Sequence, residues 1–279
     1  MLIIIRGAGD LATGVIYRLY KSGFKILALE AEKPSAIRRS VAFSEWIYTI
    51  EQNIEGVKAK KVNNLKEIEE CWQKKEIPIV VDPKAQYIDI LKPDIVVDAI
   101  IAKKNYGTNI KMAPITIALG PGFIAGKDVN IVIETMRGHN LGRLIFEGEA
   151  LANTGEPGEI GGVTKERVIY SNNEGTFKAI KKIGDSIKKD EILGYVENTP
   201  IYATIDGLLR GIISDGYVVK SKFKIADIDP RLNQYDNCFT ISDKARSLGG
   251  SVLEGILSEL QKMGGKNGSK YFGEDFWNC

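Results

Sequence analysis

The chain has 279 residues, a formal net charge of +2, 44% hydrophobic residues and 27% charged residues. That balance is ordinary for a globular protein and leaves room for two domains. It gives no electrostatic reason to expect nucleic acid as a partner. No apolar run approaches the ~20 residues that cross a bilayer, so no membrane span is expected.

Residues 2–5 are too short for a signal peptide, and a glycine turn follows them directly, so they read as a buried strand. The opening unit is Leu2-Ile3-Ile4-Ile5-Arg6, then Gly7-Ala8-Gly9-Asp10-Leu11-Ala12, then a helical run, then Lys25-Ile26-Leu27-Ala28-Leu29-Glu30. Strand, glycine turn, helix, strand and acid, in that order, suit a dinucleotide pyrophosphate. Gly7 permits the tight turn, Gly9 lets the backbone approach the phosphates, and Ala12 allows close helix packing. Helix-opening N–H groups near Asp10 and Leu11 would receive the anion, and Glu30 would meet the ribose hydroxyls. Asp10 itself reads as an N-cap, with contact to a metal ion or a ligand hydroxyl as the other reading.

Pro34-Ser35-Ala36-Ile37-Arg38-Arg39 reads as a helix start. Arg38 and Arg39 suit phosphate recognition, or else form an ordinary basic surface pair. Asn63 to Trp72 predicts an amphipathic helix with an Asn cap. Apolar runs at 77–82, 94–101, 115–119 and 130–134 read as strands of a mostly parallel sheet buried on both faces. Gly120-Pro121-Gly122-Phe123 follows one of them, where ligands of open α/β sheets bind, so Gly120 and Gly122 are pocket candidates. Arg137 and the chain's one histidine, His139, lie in a polar loop and are candidates for an anion pocket.

Residues 153–162 are glycine-rich and aperiodic, and read as a linker or surface loop. Short strands and turns then repeat a pattern across 183–196 and 214–225, which resembles the barrel-sandwich hybrid of biotinyl and lipoyl domains. The link Glu197-Asn198-Thr199-Pro200 has no lysine for a carrier function. Residues 242–257 predict a helix with Ala245, Leu248, Val252 and Ile256 on its apolar face. Gly249 and Gly250 inside it point to close backbone contact, here with the first domain. The expected class is α/β: a Rossmann-like parallel sheet domain (1–162), a small β-rich barrel-sandwich-hybrid-like domain (163–240), a C-terminal helix (241–263) and a flexible tail (264–279).

Cys71, Cys238 and Cys279 are widely separated and odd in number, which argues against a disulfide scaffold and a Cys-based zinc site. No metal is expected, and a reduced cytoplasm fits. No G-x-S-x-G elbow, Walker lysine motif or H-E-x-x-H is present, and no catalytic residue is assigned.

Five separated motifs occur in order: 6–14 with the glycine turn, Arg38-Arg39 with Val41-Ala42-Phe43-Ser44-Glu45, Leu119-Gly120-Pro121-Gly122-Phe123, Glu134-Thr135 with Arg137-Gly138-His139, and Ser242-Asp243-Lys244-Ala245-Arg246. Together they resemble the YqeB-type accessory family of the selenium-dependent molybdenum hydroxylase system, up to about Leu257. Trp46 departs from the pattern by its size. The resemblance implies a cytoplasmic accessory protein with an XdhC-like Rossmann domain, helping to mature a molybdenum hydroxylase. Its implied partners are that enzyme or its maturation factors and a small nucleotide-type ligand, with a homo-oligomer allowed. The candidate cofactors are NAD(P) and molybdopterin cytosine dinucleotide. An NAD(P)-dependent oxidoreductase and a scaffold with an empty turn are the alternatives.

Overall fold

The computed structural model describes residues 1–49 and 52–267. The chain opens with β1 (Leu2–Arg6), α1 (Asp10–Lys21) and β2 (Lys25–Glu30), and then a segment with two short 3-10 turns, Arg39–Val41 and Phe43–Ile47. It continues through β3 (Gln52–Ile54), β4 (Val57–Lys61), α2 (Leu65–Gln73), β5 (Ile77–Val81), α3 (Gln86–Leu91) and β6 (Ile95–Asp98). Then follow β7 (Ile115–Leu119), β8 (Ile124–Ala125), β9 (Ile131–Ile133), β10 (Leu144–Ile145) and β11 (Gly148–Glu149).

Nine of these strands form one sheet in the order β10-β9-β7-β6-β1-β2-β5-β4-β3. The pairs from β9 to β4 are parallel, while β10 and β3 close the two edges antiparallel. β1 is central, and each of its faces is covered. Ile3 and Ile5 pack with α1 and the C-terminal helix, whereas Ile4 packs with Ile68 of α2 and Ile88 of α3. Alternate strand residues point to opposite faces, so an unbroken Ile3-Ile4-Ile5 run fits a strand covered on both sides.

The second region holds β12 (Val168–Tyr170), β13 (Gly175–Ala179), β14 (Ser186–Ile187), β15 (Ile192–Val196), β16 (Thr199–Tyr202), β17 (Gly207–Ile212), β18 (Val218–Val219) and β19 (Lys224–Asp229). They make two four-stranded sheets, β12-β19-β17-β14 and β16-β15-β13-β18. Phe177, Leu193, Leu209, Ile212, Ile225 and Ile228 share their buried core. The last helix, α4 (Asp243–Asn267), lies against α1 with almost no space between the backbones. A Cβ placed on Gly14 would meet the Ala245 carbonyl oxygen at 2.3 Å, and one on Gly249 would meet the Gly14 oxygen at 2.5 Å.

Three sequence expectations need correction. The expected class, a Rossmann-like parallel sheet domain followed by a barrel-sandwich-hybrid-like domain and a helix, gives way to a large mixed sheet with four α-helices among the described residues. Apolar runs report burial and not strand direction, and β3 and β4 are short, with only Val57 and Ala59 alternating in β4. The helix start expected at 34–39 is extended chain leading into the 3-10 turn Arg39–Val41. Asp10 is the first residue of α1 and not its cap. Gly9 holds the cap position, with no side-chain hydrogen bond there. The Asn expectation at the start of α2 is met by Asn64, whose side chain accepts from the Glu67 N–H at 3.0 Å. Of the tail expected at 264–279, α4 takes residues up to Asn267, and 268–279 lie outside the described residues.

Candidate functional site

Parallel strands end their carboxyl sides in loops, and ligands of open α/β sheets gather there. Lys103 follows β6, Pro121 follows β7, and Thr135, Met136 and Arg137 follow β9. Asp10 and Leu11 open α1 beside them, and Ser242 and Lys244 begin the α4 end. The second region faces this edge with Arg167, Arg210 of β17, and Lys224 and Asp227 of β19. These groups enclose a cavity of about 610 Å³.

The segment 37–48 fixes the two regions against each other. The Ile212 N–H donates to the Ile37 carbonyl at 2.9 Å, and the Arg39 Nε donates to the Ile212 carbonyl at 2.7 Å. Arg39 also pairs with the buried Glu45 at 2.7 Å, and the Ser214 hydroxyl donates to the same carboxylate at 3.3 Å. Arg38 is buried at the cavity wall. It pairs with Asp10 at 3.0 Å and donates to the Asn237 and Thr240 carbonyls at 2.9 Å each. Its Nε has no hydrogen-bond partner.

Seven cationic side chains line the cavity, against three carboxylates. Each carboxylate is already taken. Asp10 holds Arg38, Asp227 holds Arg167 and Arg210 (the latter at 3.1 Å), and Glu156 holds Lys165 at 2.7 Å. Arg137 forms a two-pronged pair with Asp243, at 2.7 and 2.9 Å. Lys224 and Lys244 are half-buried and have no ion-pair partner among the described residues. Burial holds the Lys224 ammonium below its usual range; Asp227 opposes that shift, Arg167 and Arg210 add to it, and Asp10 opposes it more weakly. Burial, then Arg137, does the same to Lys244. A concave wall with surplus, unneutralised positive charge favours an anion, and arginine forks bind planar carboxylates or phosphates well.

The structure gathers Asp10, Leu11, Arg38 and Arg137 at this cavity. Arg39 turns instead to Glu45 and Ile212, in the contact between the regions. Gly7, Gly9 and Ala12 form the turn and first helical residues beside it. Gly7 needs its positive φ of 96° where the chain passes Ala99 and Ile100. Glu30 lies outside the cavity lining. Its two carboxylate oxygens accept from the Ala8 N–H at 2.8 Å and the Ala31 N–H at 2.7 Å. Burial raises its pKa against those two hydrogen bonds. Gly120 sits against Thr135 and Gly122 against the Lys104 backbone, with Pro121 between them on the cavity wall. His139 is exposed and does not line the cavity.

Sequence reasoning missed Lys103, Arg167, Arg210, Lys224, Asp227 and Lys244. The signal for three of them was a charge inside an otherwise apolar strand, as in Leu208-Leu209-Arg210 and Lys224-Ile225-Ala226-Asp227. Such charges are buried only when paired or when they face a site.

Over 257 residues the chain is 48% identical to the uncharacterized protein YqeB of Escherichia coli (strain K12), a match covering 92% of this chain and 47% of that protein. The chain is homologous to YqeB over that span. It covers about half the length of this relative, and the comparison supports a YqeB-type family. No protein-family model matches the chain. Among solved structures it is similar to a succinylglutamate desuccinylase/aspartoacylase from Rhodobacter sphaeroides, with a TM-score of 0.21 and 17% identity over 23% of this chain and 22% of that one. It is also similar to an aspartoacylase family protein from Mesorhizobium loti, with a TM-score of 0.28 and 11% identity over 82% and 85% of the two chains. Likenesses this distant lend no activity to the chain.

Against these findings the functional expectations are corrected. The similar structures carry desuccinylase and aspartoacylase names, not those of molybdenum hydroxylase maturation factors or NAD(P) binders. The YqeB match does not show the selenium and molybdenum cofactor link, and the Rossmann-like nucleotide-binding keyword and the NAD(P)-dependent oxidoreductase alternative are withdrawn on the geometry of the glycine turn. The local geometry supplies a physical reason. The Ser44 N–H donates to the Ala8 carbonyl at 2.7 Å and the Phe43 N–H to the Thr13 hydroxyl at 2.9 Å, so the Phe43–Ile47 turn packs over the glycine turn. The cavity passes Asp10 and Leu11 without reaching Glu30.

Among the described residues, no group of three or more His, Cys, Asp or Glu side chains could hold a metal ion. No helix among them is long and apolar enough to cross a membrane.

Proposed function

We propose that the chain binds a small organic polyanion, such as a di- or tricarboxylate, in the cavity between the main sheet and the second region. One observation carries the reading. Every carboxylate on the cavity wall is already paired, and the amino groups of Lys224 and Lys244 are left without an acidic partner. A ligand with two or more carboxylates supplies the missing negative charge, and Arg210, which spends only one guanidinium nitrogen on Asp227, offers further donors. Arg38, with its unpartnered Nε, borders the same space. Cytoplasmic residence is part of this reading, supported by the free thiols of Cys71 and Cys238.

Isothermal titration calorimetry with citrate, glutarate and inorganic phosphate tests it. Binding of at least one probe is expected, weakening as salt screens the charges, and lost in Lys224→Glu and Lys244→Glu. Absence of heat with all three, or binding untouched by both charge reversals, overturns the reading.

A further inference from the structure

The inference rests on the anion reading above and narrows its ligand class. Strict strand alternation would point Lys224 and Asp227, three residues apart, to opposite faces of β19. The pairing of β12 with β19 shifts register between Ile169 and Tyr170, so Ile169 faces Ala226 while Tyr170 faces Lys224. An extra residue in one strand re-aims its side chains, a device found beside functional sites. As a result both Lys224 and Asp227 line the cavity.

Asp227 makes its ion pairs with Arg167 and Arg210 and none with Lys224, so its charge offsets the crowding of the ammonium only in part. Lys224 therefore stands on a hydrogen-bonded strand, half-buried, beside two guanidinium groups and without an acidic partner among the described residues. A lysine that is desolvated and crowded by other cations keeps more of its amine uncharged, and an uncharged amine is a nucleophile. The lowered pKa of Lys224 agrees with that geometry. The surrounding arginines recruit an anion to the same space.

We propose that Lys224 forms an imine with the carbonyl carbon of an anionic oxo acid held in this cavity. The Nζ lone pair adds to the carbonyl carbon, and the π electrons move to oxygen. A proton passes from nitrogen to oxygen to give the carbinolamine. Loss of water, carrying away the second nitrogen proton, leaves the carbon–nitrogen double bond. Nothing is oxidised or reduced, and no co-reactant is needed. Arg210 binds a carboxylate of the acid, and Lys244 is a second ammonium on the cavity wall.

The experiment uses the full chain with 2-oxoglutarate as probe and glutarate as its carbonyl-free analogue. Cyanoborohydride traps any imine as a stable secondary amine, and peptide mass mapping locates it. One label per chain is expected at Lys224, heavier by the probe less one oxygen atom, and suppressed by excess glutarate. In Lys224→Arg the label is lost, because the nucleophilic amine is gone. Glutarate binding without a label at Lys224, or with label on Lys244 or scattered over surface lysines, overturns the imine and leaves the anion reading standing. No heat with glutarate and no label overturns both. The wild-type peptide map decides the matter by itself if Lys224→Arg fails to fold.

Discussion

Replacing Gly14 by alanine tests the close approach of the α1 and α4 backbones. The added Cβ would lie 2.3 Å from the Ala245 carbonyl oxygen and 2.5 Å from its carbon. Both atoms belong to the backbone of α4, so no side chain can swing away. Restoring an ordinary contact parts α1 from α4 by about 1 Å, which loosens the packing of Val15, Leu248 and Val252 in one buried cluster. Overpacking of this kind costs ~1–3 kcal/mol, and the backbone clash puts Gly14→Ala at the upper end. Alanine recovers ~1 kcal/mol of helix propensity, so the net loss is about 2 kcal/mol. At ~2–4 °C per kcal/mol for a chain of this class, thermal unfolding should fall by about 4–8 °C. Gly250→Ala is the control, because a Cβ there meets nothing within 4 Å. It should gain up to ~1 kcal/mol and melt higher than the wild type. Circular dichroism melts of the three proteins decide the issue. Equal or raised stability in Gly14→Ala would refute the backbone-contact argument.

Glu30→Gln should destabilise by ~1–3 kcal/mol, because the amide NH2 must face the Ala8 or the Ala31 N–H and leaves one donor unpaired. Burial raises the pKa of Glu30 in the folded state, so its contribution is fully present below the unfolded value of about 4.3 and declines as pH rises through the folded value. Denaturation curves across that range should show the slope in the wild type and lose it in Glu30→Gln. An unchanged slope would remove the assignment. Arg39→Ala should cost about 3 kcal/mol, because it leaves the buried Glu45 carboxylate with only the Ser214 hydroxyl and frees the Ile212 carbonyl. Urea unfolding should show a lowered midpoint, with partial recovery in Arg39→Lys. A midpoint equal to the wild type would mean that the contact between the two regions does not depend on this ion pair.

Local structure was legible wherever one residue type answers one local need. The Ile3-Ile4-Ile5 run, the Asn64 cap of α2 and the apolar stripe Ala245, Leu248, Val252 and Ile256 all read directly from neighbours in the chain. The short strands β3 and β4 did not, because β3 is three residues long and the alternation of β4 rests on two apolar residues, Val57 and Ala59. Of the cavity, Asp10, Leu11, Arg38 and Arg137 were visible in the sequence as polar groups near turns. Lys224, Arg210 and Arg167 were not, since nothing nearby in sequence shows that Asp227 is already taken.

The amino-acid order alone determined which segments become buried strands and helices, because hydrophobic period and capping act over a few residues. Only the folded chain decided which charges stay unpaired. Arg38 finds Asp10 from 28 residues away, and Arg167 finds Asp227 from 60. Charge balance in a cavity is set by distances in space, and the distances that leave Lys224 and Lys244 without an acid exist only once the second region meets the main sheet.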